Sequence, residues 1–432
     1  MLAGLIAQTT VPAAPLSAPH ADPVSAVVIS LAVILVAAKA GGELALRQKQ
    51  APVMGELLAG VLLGNLSLLG CAWLEPIKTN PGVNLLSQLG VMILLFEVGL
   101  ESTVGQMIKV GASAALVALL GITASLALGW VAAAIFLPGA GTYVHAFVGA
   151  ALCATSVGIT ARVLEDMGAS KLEEARVVLG AAVIDDVIGF ALLAAMAAVI
   201  GAADAGVSPS LGAIGFSFAK AGAFLAVSLV LGVLVTPRLF RLASRLETRG
   251  VLLAIGLSFC FLFAWLSGRA GLAPIVGAFA AGLVLEELHS RPFTERGEQS
   301  LRQLVRPISA FLVPVFFVLT GMRADLRALA QPGALALAAA LTVAAVLGKQ
   351  ACGLGVLRRG VDRVTVGLGM LPRGEFTLIF VGVGMGLSIG GRPIVTRAIY
   401  SAAVLVVLVT SLVTPPALRW SLGRVARRNP GR

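Results

Sequence analysis

Apolar positions run along this chain in long blocks, separated by short polar stretches that carry most of the arginines. A helix needs about 20 mostly apolar residues to cross hydrocarbon, and blocks of that order recur from one end to the other. They predict thirteen spanning helices, of which the first seven are Val24–Ala40, Val53–Leu69, Leu85–Leu100, Val110–Phe136, Tyr143–Val163, Ala175–Ile200 and Ile214–Val235. The rest are Val251–Leu266, Gly271–Leu285, Val305–Met322, Gly333–Leu354, Val364–Gly386 and Ala398–Ala417. A long Gly/Ala-rich helix, an interrupted helix and another long helix occur at spans four to six and again at eleven to thirteen. An offset of seven spans inverts the second copy in the membrane, the inverted-repeat plan of many secondary transporters.

Composition agrees. The 432 residues are 58% hydrophobic and 12% charged, where soluble domains carry about 25% charged residues, and the mean hydropathy is +0.98. Gly 50 and Pro 20 suit close helix approach and broken helices that line a cavity. The net charge of +11 does not indicate nucleic acid, because the basic residues lie in short loops on one side of the predicted membrane. Of 32 Lys and Arg, seven are assigned to the other side (Lys78, Lys220, Arg269, Arg323, Arg327, Arg392 and Arg397), Lys349 and Arg373 are assigned to neither side, and 23 share the side of the C-terminus, counting those at span ends. That asymmetry predicts an outside N-terminus and a cytoplasmic C-terminus. Residues 1–23 hold no Lys or Arg, lack the charged start of a secretory signal and read as an external tail. Cys71, Cys153, Cys260 and Cys352 have no metal-type spacing and read as packing residues, with no disulfide framework.

Candidate chemistry stands out because an ionised side chain at mid-bilayer costs about 2.5–3.5 kcal/mol even on the lenient insertion scale. Span six places Asp185 and Asp186 near its middle, roughly 5–7 kcal/mol for the pair unless water or partners are present. Adjacent residues of a helix point in different directions, so one carboxylate can pair within the bundle while the other faces a cavity. Lys349, in span eleven, either meets one of these acids, which keeps it protonated, or snorkels to the cytoplasmic face. Span five carries Thr155 and Ser156 in CATSVGITARV, where unwound backbone offers oxygens to a hard cation or small residues simply pack. Span twelve reads GLGMLPRGEFTLIF; Pro372 and Gly374 loosen it. Arg373 and Glu375 then pair with each other or with the dipole ends of the broken helix. Glu56, Asn65, Glu97 and Glu101 are further polar residues that could line a cytoplasmic funnel, Glu97 being equally suited to interior packing.

Several strings together resemble the monovalent cation/proton antiporter-2 family, and within it the bacterial sodium/proton antiporters with a paired aspartate. They are PVMGELLAGVLLGN, GVMILLFEVGLE, ATSVGITARVLEDMG, VIDDVIG, PVFFVLTGMRADL, LGK and MLPRGEFTLI, in order over nearly the whole chain. The resemblance implies an all-α membrane protein with inverted repeats and two broken crossing helices, working as a homodimer. An interface domain (24–109 and 250–332) would hold a core transport domain (110–200 and 333–418), with a linker helix at 201–249 and a basic cytoplasmic tail at 419–432. It further implies Asp186 as principal ligand of the transported cation and Asp185 as ion-pair partner of Lys349. Thr155 and Ser156 would lie beside the site, and Arg373 with Glu375 would steady the second broken helix. Related glutathione-gated potassium efflux proteins differ at the aspartate pair and carry a nucleotide-binding regulatory domain; this chain has the pair and is expected to have no such domain.

The expected activity is electrogenic sodium (or lithium)/proton antiport across a bacterial inner membrane, with no cofactor and no enzymatic step. Alternatives are a potassium/proton antiporter on the same fold, a cation channel, and a non-transporting membrane sensor. A membrane hydrolase is disfavoured, since His20, His145 and His289 are remote from the aspartates and no nucleophile motif occurs.

Overall fold

The structure, a computed structural model, describes residues 23–428 except 49, 102–110, 168, 170–171, 271, 286–298, 331 and 359, with 207–249 described only in part. Helices run α1 (Pro23–Arg47), α2 (Pro52–Gly64), α3 (Glu75–Thr79), α4 (Pro81–Glu101), α5 (Ala112–Phe136), α6 (Thr142–Ala151), α7 (Val157–Asp166) and α8 (Glu173–Asp204). They continue as α9 (Val251–Arg269), α10 (Pro274–Val284), α11 (Leu301–Met322), α12 (Leu326–Leu329), α13 (Pro332–Ala351), α14 (Arg363–Gly369), α15 (Glu375–Met385) and α16 (Arg397–Arg428). A two-stranded antiparallel ribbon, β1 (Ser388–Ile389) with β2 (Arg392–Pro393), joins α15 to α16.

Among the described residues, eight helices are long and apolar enough to cross a membrane, and α2, α10 and α15 are shorter apolar helices. The chain is an all-α membrane protein. The helices coincide with the predicted spans wherever both are described; Ile214–Val235, the linker assignment around it and the N-terminal tail lie largely or wholly outside the described residues. Helix starts have local causes. Proline stands in the first turn of α2 and α10, where its missing N–H costs nothing. Ser300 and Gln303 form a capping box on α11, and the Asp362 side chain accepts from Thr365 N at 2.8 Å to open α14.

Two sets of helices pack most closely within themselves. In one, α2 lies between α1 and α11, α4 between α10 and α11, and α9 beside α10. In the other, α5 packs against α13, α6 and α8, and α13 against α16. Contact is close because glycine faces backbone: a Cβ on Gly129 of α5 would come within 2.8 Å of the Gly149 Cα on α6. Within the second set the predicted order appears twice. α5, the broken pair α6/α7 and α8 make one copy; α13, the broken pair α14/α15 and α16 make the other.

Candidate ion site at the crossing of two broken helices

Both interrupted spans are unwound in the middle. Residues 152–156 separate α6 from α7, and 370–374 separate α14 from α15. Unwinding frees backbone groups that lipid cannot satisfy, and here each break satisfies the other. Ser156 N donates to Pro372 O at 2.8 Å, Thr155 Oγ1 to Met370 O at 3.2 Å, and Thr160 Oγ1 to Gly369 O at 2.6 Å. Pro372 has no N–H to carry the helix on, which leaves carbonyls at the end of α14 without an intrahelical donor. Gly374 is required by proximity, since a Cβ there would fall 2.6 Å from both Cβ and Oγ of Ser156.

Arg373 holds this crossing from within. It is fully buried, and its Nη1 donates to Ala154 O at 2.6 Å. Its Nη2 reaches Ser125 Oγ at 3.3 Å and Ala345 O at 3.5 Å. Its own backbone is anchored to α16, where Ser411 Oγ donates to Arg373 O and Arg373 N donates to Thr410 Oγ1. No ion pair joins Arg373 to Glu375 among the described residues. Of the two arrangements that the sequence allowed, dipole compensation is the one found: the guanidinium meets a carbonyl just past the C-terminus of α6, and Glu375 occupies the first turn of α15. Glu375 Oε2 accepts instead from Ser156 Oγ at 3.0 Å.

Beside the crossing lies the aspartate pair of α8. Lys349 Nζ donates to both oxygens of Asp185 at 3.1 Å, and both side chains are 0% exposed. Lys349 therefore does not snorkel; it points into the bundle between α5 and α8. Asp186, one residue on, is only half-buried, as is Glu375, whereas Asp185, Lys349, Arg373, Thr155 and Ser156 are all buried. Asp185, Glu375 and Lys349 are the charges that bear on Asp186. The arrangement thus separates a closed, internally neutral pair from two half-buried carboxylates, Asp186 and Glu375, the second of which takes the Ser156 hydroxyl. Ser156 donates its proton to Glu375 and keeps oxygen lone pairs for a cation.

The other polar candidates are dispersed. Glu97 accepts from Ser309 Oγ at 2.6 Å, joining α4 to α11. Glu56 is buried in α2 with Oε2 lacking a hydrogen-bond partner, and the side chain of Glu101 lies outside the described residues. Asn65 sits at the far end of α2 from Glu56, where Nδ2 donates to Val61 O and Ala324 O at 2.8 Å and Oδ1 accepts from Leu326 N at 3.0 Å. This ties α2 to the loop after α11. Sequence reasoning missed Ser125, Thr160, Thr410 and Ser411. Each is a Ser or Thr within a predicted span, a signal too common to single them out.

The chain matches the profile described as "Sodium/hydrogen exchanger, transmembrane" over residues 28–423. It is 34% identical over 427 residues to the high-affinity Na(+)/H(+) antiporter NhaS3 of Synechocystis sp., covering 91% of this chain and 89% of that protein. It is also 34% identical over 398 residues to the Na(+)/H(+)-K(+) antiporter GerN of Bacillus cereus, covering 91% and 95%. Among solved structures, the sodium proton antiporter MjNhaP1 of Methanocaldococcus jannaschii superposes with a TM-score of 0.70 at 14% identity, over 95% of this chain and all of that one, a likeness of fold.

Proposed function

This chain belongs to the sodium/hydrogen exchanger family, and from that premise we propose that it is a secondary-active antiporter exchanging sodium or lithium for protons across a bacterial inner membrane. The observation that carries the reading is the half-buried carboxylate of Asp186 next to the sealed Asp185–Lys349 pair. A carboxylate at membrane depth is tolerable when neutralised, and a monovalent cation or a proton does so equally. The two compete for one site, so each excludes the other. The loaded forms cross and the empty, charged form is penalised, which turns alternating access into exchange.

In this reading α1, α2, α4 and α9–α11 are the interface domain of a homodimer, α5–α8 and α13–α16 the moving core, and 201–249 the linker. The N-terminus is outside and the C-terminus cytoplasmic, as the basic residues prefer. Asp186 and Ser156 bind the cation, with Thr155 beside them; Arg373 and Glu375 hold the crossing. When a cation draws Asp185 towards it, Lys349 loses the partner that keeps it charged and releases a second proton. Two protons per cation make the cycle electrogenic.

A potassium/proton exchanger is the second reading, supported by the relative GerN, whose name includes potassium. Proteoliposomes given sodium, lithium and potassium in turn separate the two. Asp186→Asn should abolish cation-driven proton flux, and near-normal flux in that variant would remove Asp186 from the site.

A further inference from the structure

Coupled exchange needs a site that is never open to both sides at once, so some part of the protein must shut the side not in use. The face of α8 that carries Asp186 also carries Phe190, one turn nearer Asp204. Asp186 is half-buried, and the next two positions of this face towards Asp204, Phe190 and Leu193, are both 0% exposed.

Phe190 is covered by a ring from the opposite helix set. Phe279 of α10 stacks on it with centroids 4.3 Å apart and planes inclined by 30°. Phe376 of α15, the residue after Glu375, brings its ring to 4.6 Å from Phe190. It also lies against Gly189, where a Cβ would sit 3.0 Å from the ring. The three rings thus fill the junction of α8, α10 and α15, with Phe376 next in sequence to Glu375 and Phe190 one turn from Asp186. Phe190 and Phe376 belong to the helix set of the crossing, and Phe279 to the other set.

We infer that Phe190, Phe279 and Phe376 form the outer seal of the ion site, and that parting of Phe279 from Phe190 is the movement that admits ions from outside. The inference rests on the antiport reading and on the orientation given by the basic residues. A cation passing the closed stack would shed its water among aromatic carbon, a transfer that burial of a charge without partners forbids. With the stack intact, the Asp204 side of Asp186, the outer side in this orientation, is closed by aromatic carbon. Phe279 therefore enforces coupling without touching the cation.

Two variants in proteoliposomes test this. With voltage clamped and no pH gradient, Phe279→Ala should raise passive sodium leak at least about tenfold, the change given by a barrier lower by ~1.4 kcal/mol. Phe279→Trp, which keeps an aromatic face, should stay at the wild-type background. In the double variant Phe190→Cys/Phe279→Cys, a short bis-methanethiosulfonate should link the two positions and stop exchange, and dithiothreitol should restore it. The unlinked double variant, which lacks two rings, should still exchange but with the raised leak of Phe279→Ala, and it serves as the control for folding. Failure to cross-link, or exchange at full rate while cross-linked, overturns the seal even though antiport stands. A wild type that moves no protons against sodium, lithium or potassium refutes the antiport reading, and the inference with it.

Discussion

Lys349→Gln removes the positive half of an ion pair that is closed to solvent on both sides. At 3.1 Å and an effective dielectric of about 20, the attraction lost is about 5 kcal/mol. Deleting one partner of a buried pair typically costs about 3–5 kcal/mol, because the remaining charge is stranded. Asp185 has no obvious substitute partner, since Arg373 is already engaged with Ala154, Ser125 and Ala345. The neutral double variant Lys349→Gln/Asp185→Asn strands nothing and leaves two amides able to bond. Its loss should be under about 1.5 kcal/mol, the worth of an ordinary hydrogen bond. The double variant should therefore recover at least about 1.5–3.5 kcal/mol of the stability lost in Lys349→Gln, and the double-mutant cycle isolates that coupling. Unfolding in mixed micelles titrated with dodecyl sulfate measures all four proteins. A single variant as stable as the wild type, or a double variant no better than the single, would refute the argument. In proteoliposomes the single variant should also lose the response of exchange to voltage; an unchanged response would rule out the second proton.

Other residues give sharper or smaller effects. Arg373→Met should cost roughly 3 kcal/mol or more by leaving carbonyls of the crossing unpaired, and Arg373→Lys should recover little of it, because a point charge cannot reproduce the planar fork; thermal stability in detergent reads both. Gly374→Ala should cost about 1–3 kcal/mol through overpacking against Ser156 and slow exchange more than it lowers expression. Thr160→Ala removes only the 2.6 Å bond to Gly369 O and should lower stability by about 1 kcal/mol with exchange retained. Outside the membrane, hydrogen bonding by Lys78 holds the Glu75 carboxyl below its usual range. A lowered value in the folded state means stability present above pH about 4.3 and lost as pH falls through the folded value. The pair is partly exposed, so after solvent screening the effect stays below about 0.5 kcal/mol; comparing acid unfolding of the wild type with Glu75→Gln measures it.

Much of the architecture could be read from the chain because lipid simplifies the code. Length and polarity of each block define a span, and any ion inside one is conspicuous, which is why Asp185, Asp186, Lys349, Arg373 and Glu375 were found as candidates. The interruptions were visible through Pro372, Gly374 and the small residues around Thr155. Pairing was less legible. Whether Arg373 would choose Glu375 or a carbonyl depends on the direction of two chain segments more than 200 residues apart, and nothing local encodes that. The tie made by Asn65 was hidden for a similar reason: its partners, Ala324 and Leu326, lie 259 and 261 residues further along the chain. The aromatic stack was invisible because a phenylalanine in an apolar block looks like any other core residue. Only the meeting of α8 with α10 distinguishes it.

The mutual satisfaction of the two unwound segments also bears on how the protein is made. Their bonds join residues separated by as many as 219 positions, so the first broken helix enters the bilayer before its complement has been synthesised. Until 363–428 arrives, the amide of Ser156 and the carbonyl of Ala154 must find water or the insertion machinery. A nascent chain stopped short of Pro372 should thus be an open, protease-sensitive intermediate, and assembly of the transport half should be the last step of biogenesis.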